Sequence, residues 1–397
     1  MLPTFFGLNT VTRALMAQQA AVDVVNQNIA NASTPGYSQQ DAILTATDPY
    51  TSPAFDRPPI AGQMGTGVQV SKIVRFQDEL LNSQIRDGSQ VQGQMQVQDD
   101  MYNQIQSIYN DPSNVAINST ATNFFNAVHD LSNNPESTAT RQALEQQGEA
   151  LANAVSSRYS QLTSLQQDLN TKTVGIVGDI NSTITQIAAL NTQIAQVTGI
   201  GSNANDLMDQ RDTLVNHLSG LVDTKDVKNL DGTDTIQLNG RFLVNKDQAY
   251  TLTTLTNATS PSMVKPVQVF WTEDVNRFQQ IHPGYDPISG KNLTTAQPLG
   301  AGAVPPLSVA QADITSGSLA GTMQIRDQVI QQTLLPQLNE LADSLTNTQV
   351  LSSVTGLTSG GKVSGASSFV VTVVPNLGVG NVQNGEPIAV TVNVAAG

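Results

Sequence analysis

The sequence predicts a mainly α, elongated, multi-domain protein, in which a long antiparallel helical bundle of coiled-coil type carries an inserted β domain. Three observations predict it. From near Thr140, the residues Leu144, Leu151, Val155, Arg158, Leu162, Leu165, Leu169, Thr173, Ile176, Ile180, Ile184, Ile187, Asn191 and Ile194 follow one another mostly at steps of three and four. That spacing marks one helix, about 85 Å long if unbroken at about 1.5 Å per residue. At Val222 the apolar period falls from about 3.6 to about 2, the signature of strands. From Leu319 the helical period resumes through Met323, Ile325, Val329, Leu334, Leu338, Leu341 and Leu345, so the chain returns to its bundle.

In chain order, the first element is an Ala/Gln-rich amphipathic helix. Leu8, Leu15, Val22 and Ile29 fall seven residues apart with Val11 and Val25 between them, which places all of them on one stripe. Each such side chain contributes roughly 1.5 to 3 kcal/mol when fully buried, whereas ordering about 25 residues costs about 1 to 2 kcal/mol apiece in backbone entropy. The helix is therefore expected to order when another helix covers the stripe. The plain alternative is a helix docked on its own domain. Beyond Ile29, the residues Asn31, Ser33, Thr34, Pro35 and Gly36 remove helix propensity and permit a tight turn.

A polar helix follows from Phe76, marked by Leu80, Ile85, Met95, Ile105 and Ile108 and ended by Asp111-Pro112, with Gly88 and Gly93 weakening its middle. A short helix over residues 122–131 carries Phe124, Phe125, Val128 and Leu131 and is closed by Asn133-Asn134-Pro135. After the long helix, the turn from Gly199 to Asn203 reverses the chain, and Leu207, Arg211, Leu214, Leu218 and Leu221 make the return. Strands are expected over residues 236–244, 250–253, 267–271, 369–374 and 388–394. Pro336 predicts a kink. The expected divisions are 1–75, an axial helix and extended segment for assembly; 76–221, the helical bundle; 222–316, the inserted β domain; 317–349, the returning helix; and 350–397, a Gly/Ser/Val-rich β segment.

Composition narrows the function classes. The chain has 397 residues, 39% of them apolar, enough for two or three cores. Only 13% are charged, so Asn, Gln, Ser and Thr supply the polarity, and the net charge of −14 argues against nucleic acid or an anionic membrane as partner. Cysteine is absent, which removes disulfides, thiolate metal sites and thiol nucleophiles. No cleavable secretory signal and no run of about 18 apolar residues is present, so neither conventional secretion nor a membrane span is expected.

The run Gln27-Asn28-Ile29-Ala30-Asn31, followed by Thr34-Pro35-Gly36-Tyr37 behind an Ala/Gln-rich helix, resembles the opening shared by bacterial flagellar axial proteins of the rod, hook and hook-associated families. Central segments narrow the resemblance to the hook-associated protein 1 family. These are Asn123-Phe124-Phe125-Asn126-Ala127 through Asn134-Pro135 to Arg141; Ile180-Asn181 with Ile187-Ala188-Ala189-Leu190-Asn191-Thr192-Gln193-Ile194; Asn205-Asp206-Leu207-Met208-Asp209-Gln210-Arg211-Asp212; and Gly317-Ser318-Leu319-Ala320-Gly321 with Arg326-Asp327.

The resemblance implies a non-catalytic protein joining hook to filament, without cofactor, polymerised with itself as a ring or tube beside the hook protein and the adjacent junction protein. It implies export to the extracellular flagellum without a cleaved signal peptide, and an export chaperone that grips the C-terminal region. Such proteins end in a second amphipathic helix that residues 350–397 lack, so this chain is expected to be a fragment, with a natural variant as the alternative. The rivals are another axial protein (rod, hook or second junction protein) and a secreted coiled-coil adhesin binding through the β domain. The assembly residues are Leu8, Val11, Leu15, Val22, Val25, Ile29, Asn31, Pro35, Gly36 and Tyr37; Asn31, Pro35 and Tyr37 serve either as turn formers or as an assembly surface.

Other motifs carry less. Residues 356–363 imitate a phosphate loop, but Val363 replaces the magnesium-binding hydroxyl and a strand rather than a helix follows. His129, His217 and His282 lack zinc-site spacing, and no Ser-His-Asp arrangement is legible. Asp206, Asp209, Arg211 and Asp212 are expected to form an ion-paired bundle surface.

Overall fold

The computed structural model describes residues 5–49, 65–109, 116–257, 260, 263–281, 285–288, 309–346, 367–373 and 388–394. Helix α1 (Phe6–Ala30) leads into a hairpin of β1 (Gln40–Ala46) and β2 (Val68–Arg75), antiparallel, with Gln40 opposite Arg75 and a bulge at Ile43/Leu44. Then come α2 (Glu79–Tyr109), α3 (Ile117–Asn133), α4 (Thr138–Gly199) and α5 (Asn205–Leu221). The small sheet β3 (Lys225–Lys228), β4 (Asp234–Leu238), β5 (Arg241–Asn245), β6 (Gln248–Ala249) is followed by the pair β7 (Leu252–Thr256) and β8 (Val267–Trp271) and by α6 (Thr272–Ile281). The chain returns through α7 (Gly317–Gln324), a π-helical segment Ile325–Leu334 and α8 (Leu335–Thr346); β9 (Ser367–Val373) and β10 (Ile388–Val394) pair antiparallel. This is the expected class, a long helical assembly with inserted antiparallel β elements.

Helix α4 is the axis of the fold. Ser137 caps its start by accepting the Thr140 N–H, and its buried stripe then serves two successive apolar clusters. Leu144, Leu151, Leu162, Leu165 and Leu169 pack with Phe124 and Leu131 of α3 and with Ile325, Ile330, Leu335 and Leu338 of the returning strand of helix. Ile176, Ile180, Ile184 and Ile187 pack with Val215 and Leu218 of α5 and with Ile236, Leu243, Val244, Leu252, Val269 and Trp271 of the sheets.

Asparagines on α4 fasten the strands to it. Asn181 accepts the Leu252 N–H at 2.8 Å and donates to the Leu252 carbonyl at 2.7 Å. Asn191 does the same to Asp234, at 3.1 and 2.8 Å, and Asn170 accepts from Val267 N–H at 3.1 Å while donating to the Lys265 carbonyl at 3.0 Å. Each amide stands in for a neighbouring strand, satisfying one donor and one acceptor.

The structure corrects several sequence expectations. Residues 236–244 are not one strand but the hairpin β4–β5, broken by Asn239-Gly240 with φ of 43° and 83°, the two positive values of a primed hairpin turn. Hairpin β1–β2, strand β3 and helix α6 were not anticipated. Pro336 lies inside a continuous helical run, and the irregularity falls just before it as the π-helical segment, with Leu335 N–H bonding to Ile330 O. Asp111-Pro112, His282 and residues 356–363 lie outside the described residues.

Gly93 does not weaken α2; it lets α2 cross α5, because a Cβ there would overlap the Gly220 carbonyl. Gly93→Ala is expected to force the helices apart at a cost of about 1 to 3 kcal/mol, read as a lowered urea midpoint with unchanged slope.

Candidate assembly interface

Two faces of α1 have different fates. Ala17 and Val24 are buried, with Ala14, Ala21 and Asn28 partly covered beside them, and this small-residue face seats the helix on β1 and β2. The stripe of Leu8, Val11, Leu15, Val22, Val25 and Ile29 lies about a quarter turn away, with exposures from 52% (Val25) to 70% (Ile29). The stripe therefore does not hold the helix in place; the alanine face does, without a second helix over the large side chains. A further apolar row is exposed along α2, formed by Leu80, Leu81, Ile85, Val91, Met95 and Tyr102.

The segment after α1 closes on itself. Asn31 ends the helix, its N–H and its side-chain amide both donating to the Gln27 carbonyl at 3.0 and 3.1 Å, and its Oδ1 accepting from Thr34 Oγ1 at 3.2 Å. Pro35 is exposed. Gly36 has φ +83° and lies so close to α5 that a Cβ would overlap Thr213 Oγ1. Tyr37 Oη donates to Asn28 Oδ1 at 2.9 Å, and the Asn28 amide brackets the backbone of Gln40, accepting its N–H at 3.0 Å and donating to its carbonyl at 2.9 Å. Burial, with the Asp206 and Asp209 carboxylates, raises the Tyr37 phenol above its usual pKa, so it remains a donor. Asn31, Gly36 and Tyr37 are thus engaged within the chain.

The motif then meets α5. Ser38 N–H donates to Asp209 Oδ2 at 3.0 Å, Gln40 Nε2 to Asp206 Oδ1 at 3.1 Å, and Asn205 Nδ2 to Gln40 Oε1 at 3.0 Å. Arg75, at the end of β2, reaches Asp209 at 2.6 Å and Asp212 at 3.0 Å, and Gln77 donates to Asp212 at 2.9 Å. Arg86 of α2 pairs with Asp226 of β3 and approaches Asp212 at 3.8 Å; Lys228 lies 3.6 Å from Asp212 and 3.5 Å from Asp234; Arg211 lies 3.0 Å from Asp234. Asp209, Arg211 and Asp212 are ion-paired as expected, but they are no surface, Asp209 and Asp212 being 7% exposed and Arg211 1%, whereas Asp206 is exposed and accepts from Gln40 instead. The three are buried because β2, α2, β3 and β4 converge on one side of α5.

Burial opposes ionisation of Asp212, but Lys228, the Gln77 amide, Arg75 and Arg211 outweigh it and hold its carboxyl below the ordinary 3.8. A depressed carboxyl stabilises the fold at pH values above its ordinary pKa, and that contribution is lost as pH falls through the depressed value. Burial outweighs Arg211 and Lys228 at Asp234 and raises its carboxyl, so its protonation on acidification favours the fold, in the window above 3.8. Asp212→Asn is expected to lower stability at pH 7 and to flatten the loss below about pH 4, measured by urea unfolding across that range.

Sequence reasoning omitted Asn28, Gln40, Arg75 and Gln77 from the assembly region's key residues. The alternation Val68-Gln69-Val70, which marks β2, was the signal that would have placed Arg75 at a strand end.

The comparisons with known proteins fit this geometry. Residues 102–285 match the family described as flagellar hook-associated protein FlgK helical domain, and residues 8–37 match that described as flagella basal body rod protein. Flagellar hook-associated protein 1 of Bacillus subtilis (strain 168) is 36% identical over 236 residues, which is 59% of this chain and 46% of that protein. Over this part the chain is similar to flagellar hook-associated protein 1. The protein of that name from Salmonella typhimurium is 30% identical over 258 residues, 64% of this chain and 45% of its own length. The structure of the flagellar hook junction protein FlgK from Burkholderia pseudomallei shares the fold with a TM-score of 0.51 at 24% identity, over 74% of this chain and 48% of that one. The chain spans about half the length of the relatives it matches. The rod-type match contains the α1 stripe and the turn to Tyr37, and the FlgK-type match contains α3, α4, α5 and strands β3 to β8.

Proposed function

We propose that this chain is a non-catalytic structural component of the bacterial flagellum that joins hook to filament, polymerising with copies of itself into a ring or tube through α1. The observation that carries the reading is the α1 stripe: large apolar side chains at heptad spacing, exposed on a helix already seated by its other face. A row of that kind on a folded chain is suited to a partner helix. The exposed row on α2 adds surface of the same character. Hook protein and the adjacent junction protein are the proposed neighbours, the extracellular flagellum the location, export without a cleaved signal peptide the route, and a flagellar export chaperone the carrier before assembly. The same reading assigns residues 1–75 to assembly, the helical bundle and returning helix to the body, and residues 222–316 to the β insertion.

Motility and electron microscopy of a deletion strain test it. The expected result is hooks without filaments and filament subunits spilled into the medium. Normal filaments on the deletion strain's hooks would overturn the proposal, as would purified chain bound to a host ligand and absent from flagella.

A further inference from the structure

The union between the α1–hairpin arm (residues 5–49 and 65–75) and the helical body is mainly polar among the described residues, with Val74 and Met208 beside the polar contacts. Neither apolar cluster contains a residue of the arm, and among the described elements α1 packs substantially only against β1 and β2. What crosses the union is a set of hydrogen bonds and ion pairs: Ser38 and Gln40 to Asp209 and Asp206, Asn203 and Asn205 to the Ile73 carbonyl at 2.7 and 3.1 Å, and Arg75 to Asp209 and Asp212 together. Arg75 is the arm's cation in this set, its side chain 8% exposed and its Nη1 shared between the two carboxylates.

We propose that this union is a reorientable joint pinned by Arg75, which sets the direction in which the arm presents its apolar stripe; the use made of that direction rests on the assembly reading above. A junction that lies outside both apolar clusters is the kind of contact that opens locally while the units on either side stay folded. Arg75 acts here as a positioning residue. The groups facing it are Asp209 and Asp212 of α5, with Arg86 of α2, Lys228 of β3 and Arg211 of α5 sharing Asp212. When Arg75 is removed, Asp212 retains those other cations and Asp209 takes water as the arm parts from α5, so the body keeps its core while the arm loses its pin.

The chain lacks cysteine, so a pair introduced at exposed Thr45 of β1 and exposed Gln193 of α4 reports arm against body without background. Spin labels at Thr45→Cys and Gln193→Cys, read by pulsed dipolar spectroscopy, are expected to give one narrow distance distribution in the otherwise unaltered chain. Arg75→Met is expected to broaden it at least twofold, Arg75→Lys to restore part of the narrowness, and Asp209→Asn to broaden it independently, with the urea midpoint of the body unchanged in each. A distribution indifferent to Arg75 and Asp209 would overturn the proposal, as would broadening that comes only with a fall in the body's urea midpoint. The joint and the assembly reading fail separately: an assembly-competent Val22→Asp would sink the stripe while leaving the distances as they are.

Discussion

Val22→Asp is expected to abolish polymerisation while leaving the fold intact. Val22 is 55% exposed at the middle of the α1 stripe, with Leu15 and Ile29 seven residues away on either side. In the isolated chain the new carboxylate faces water, so far-UV helicity and the urea midpoint should hold. In a helix seam it would be buried without a counter-ion, at about 3 kcal/mol or more per contact, which corresponds to at least about a hundredfold in association constant. Analytical ultracentrifugation of the purified variant and complementation of a deletion strain supply the readings. Normal incorporation would count against the stripe, and so would loss of the helical signal.

Arg211→Ala is expected to have the largest effect on stability. The guanidinium lies 3.0 Å from Asp234 and 3.7 Å from Asp212, and donates to the Gly232 carbonyl at 2.6 Å and to Asn191 Oδ1 at 3.4 Å. Removing it leaves buried Asp234 with Lys228, at 3.5 Å, as its remaining cation among the described residues. Breaking a buried pair in this way costs about 3 to 5 kcal/mol, a large part of a typical domain's 5 to 15 kcal/mol. The sign of the Asp234 shift supplies a check: its carboxyl is raised already, so the variant should recover part of its loss on acidification toward pH 4, where Asp234 takes up a proton. The double variant Arg211→Leu with Asp234→Leu should be more stable than Arg211→Ala alone, because no buried charge is orphaned. Urea unfolding at several pH values separates the outcomes.

What the sequence made legible follows its periodicities. Helix α4, read from near Thr140 to Ile194, runs Thr138–Gly199 because a buried stripe this long leaves the period unmistakable. Helix α6 escaped notice because ten residues offer only Val275 and Phe278 to its buried face. The β4–β5 hairpin was read as one strand because apolar alternation continues on both sides of Asn239-Gly240, and the turn lies in those two residues alone. At the candidate interface, the large apolar stripe was visible in heptad spacing. The alanine face that seats α1 was not, since small residues give little amphipathic contrast. The ionic joint was the least legible part: Arg75 and Asp209 are 134 positions apart, and no local pattern announces such a pair.

The asparagine fastenings on α4 have a consequence for the shape of the whole molecule. Asn170 and Asn181 are separated by about 16 Å along the helix axis and Asn181 and Asn191 by about 15 Å, at about 1.5 Å per residue, and each grips strand or loop backbone, Asn170 and Asn191 also accepting from Arg326 and Arg211. The helix is thus a graduated ruler on which the β elements are mounted at fixed marks. One added residue between Asn181 and Asn191 would turn the later mark by about 100° and unhook its strand.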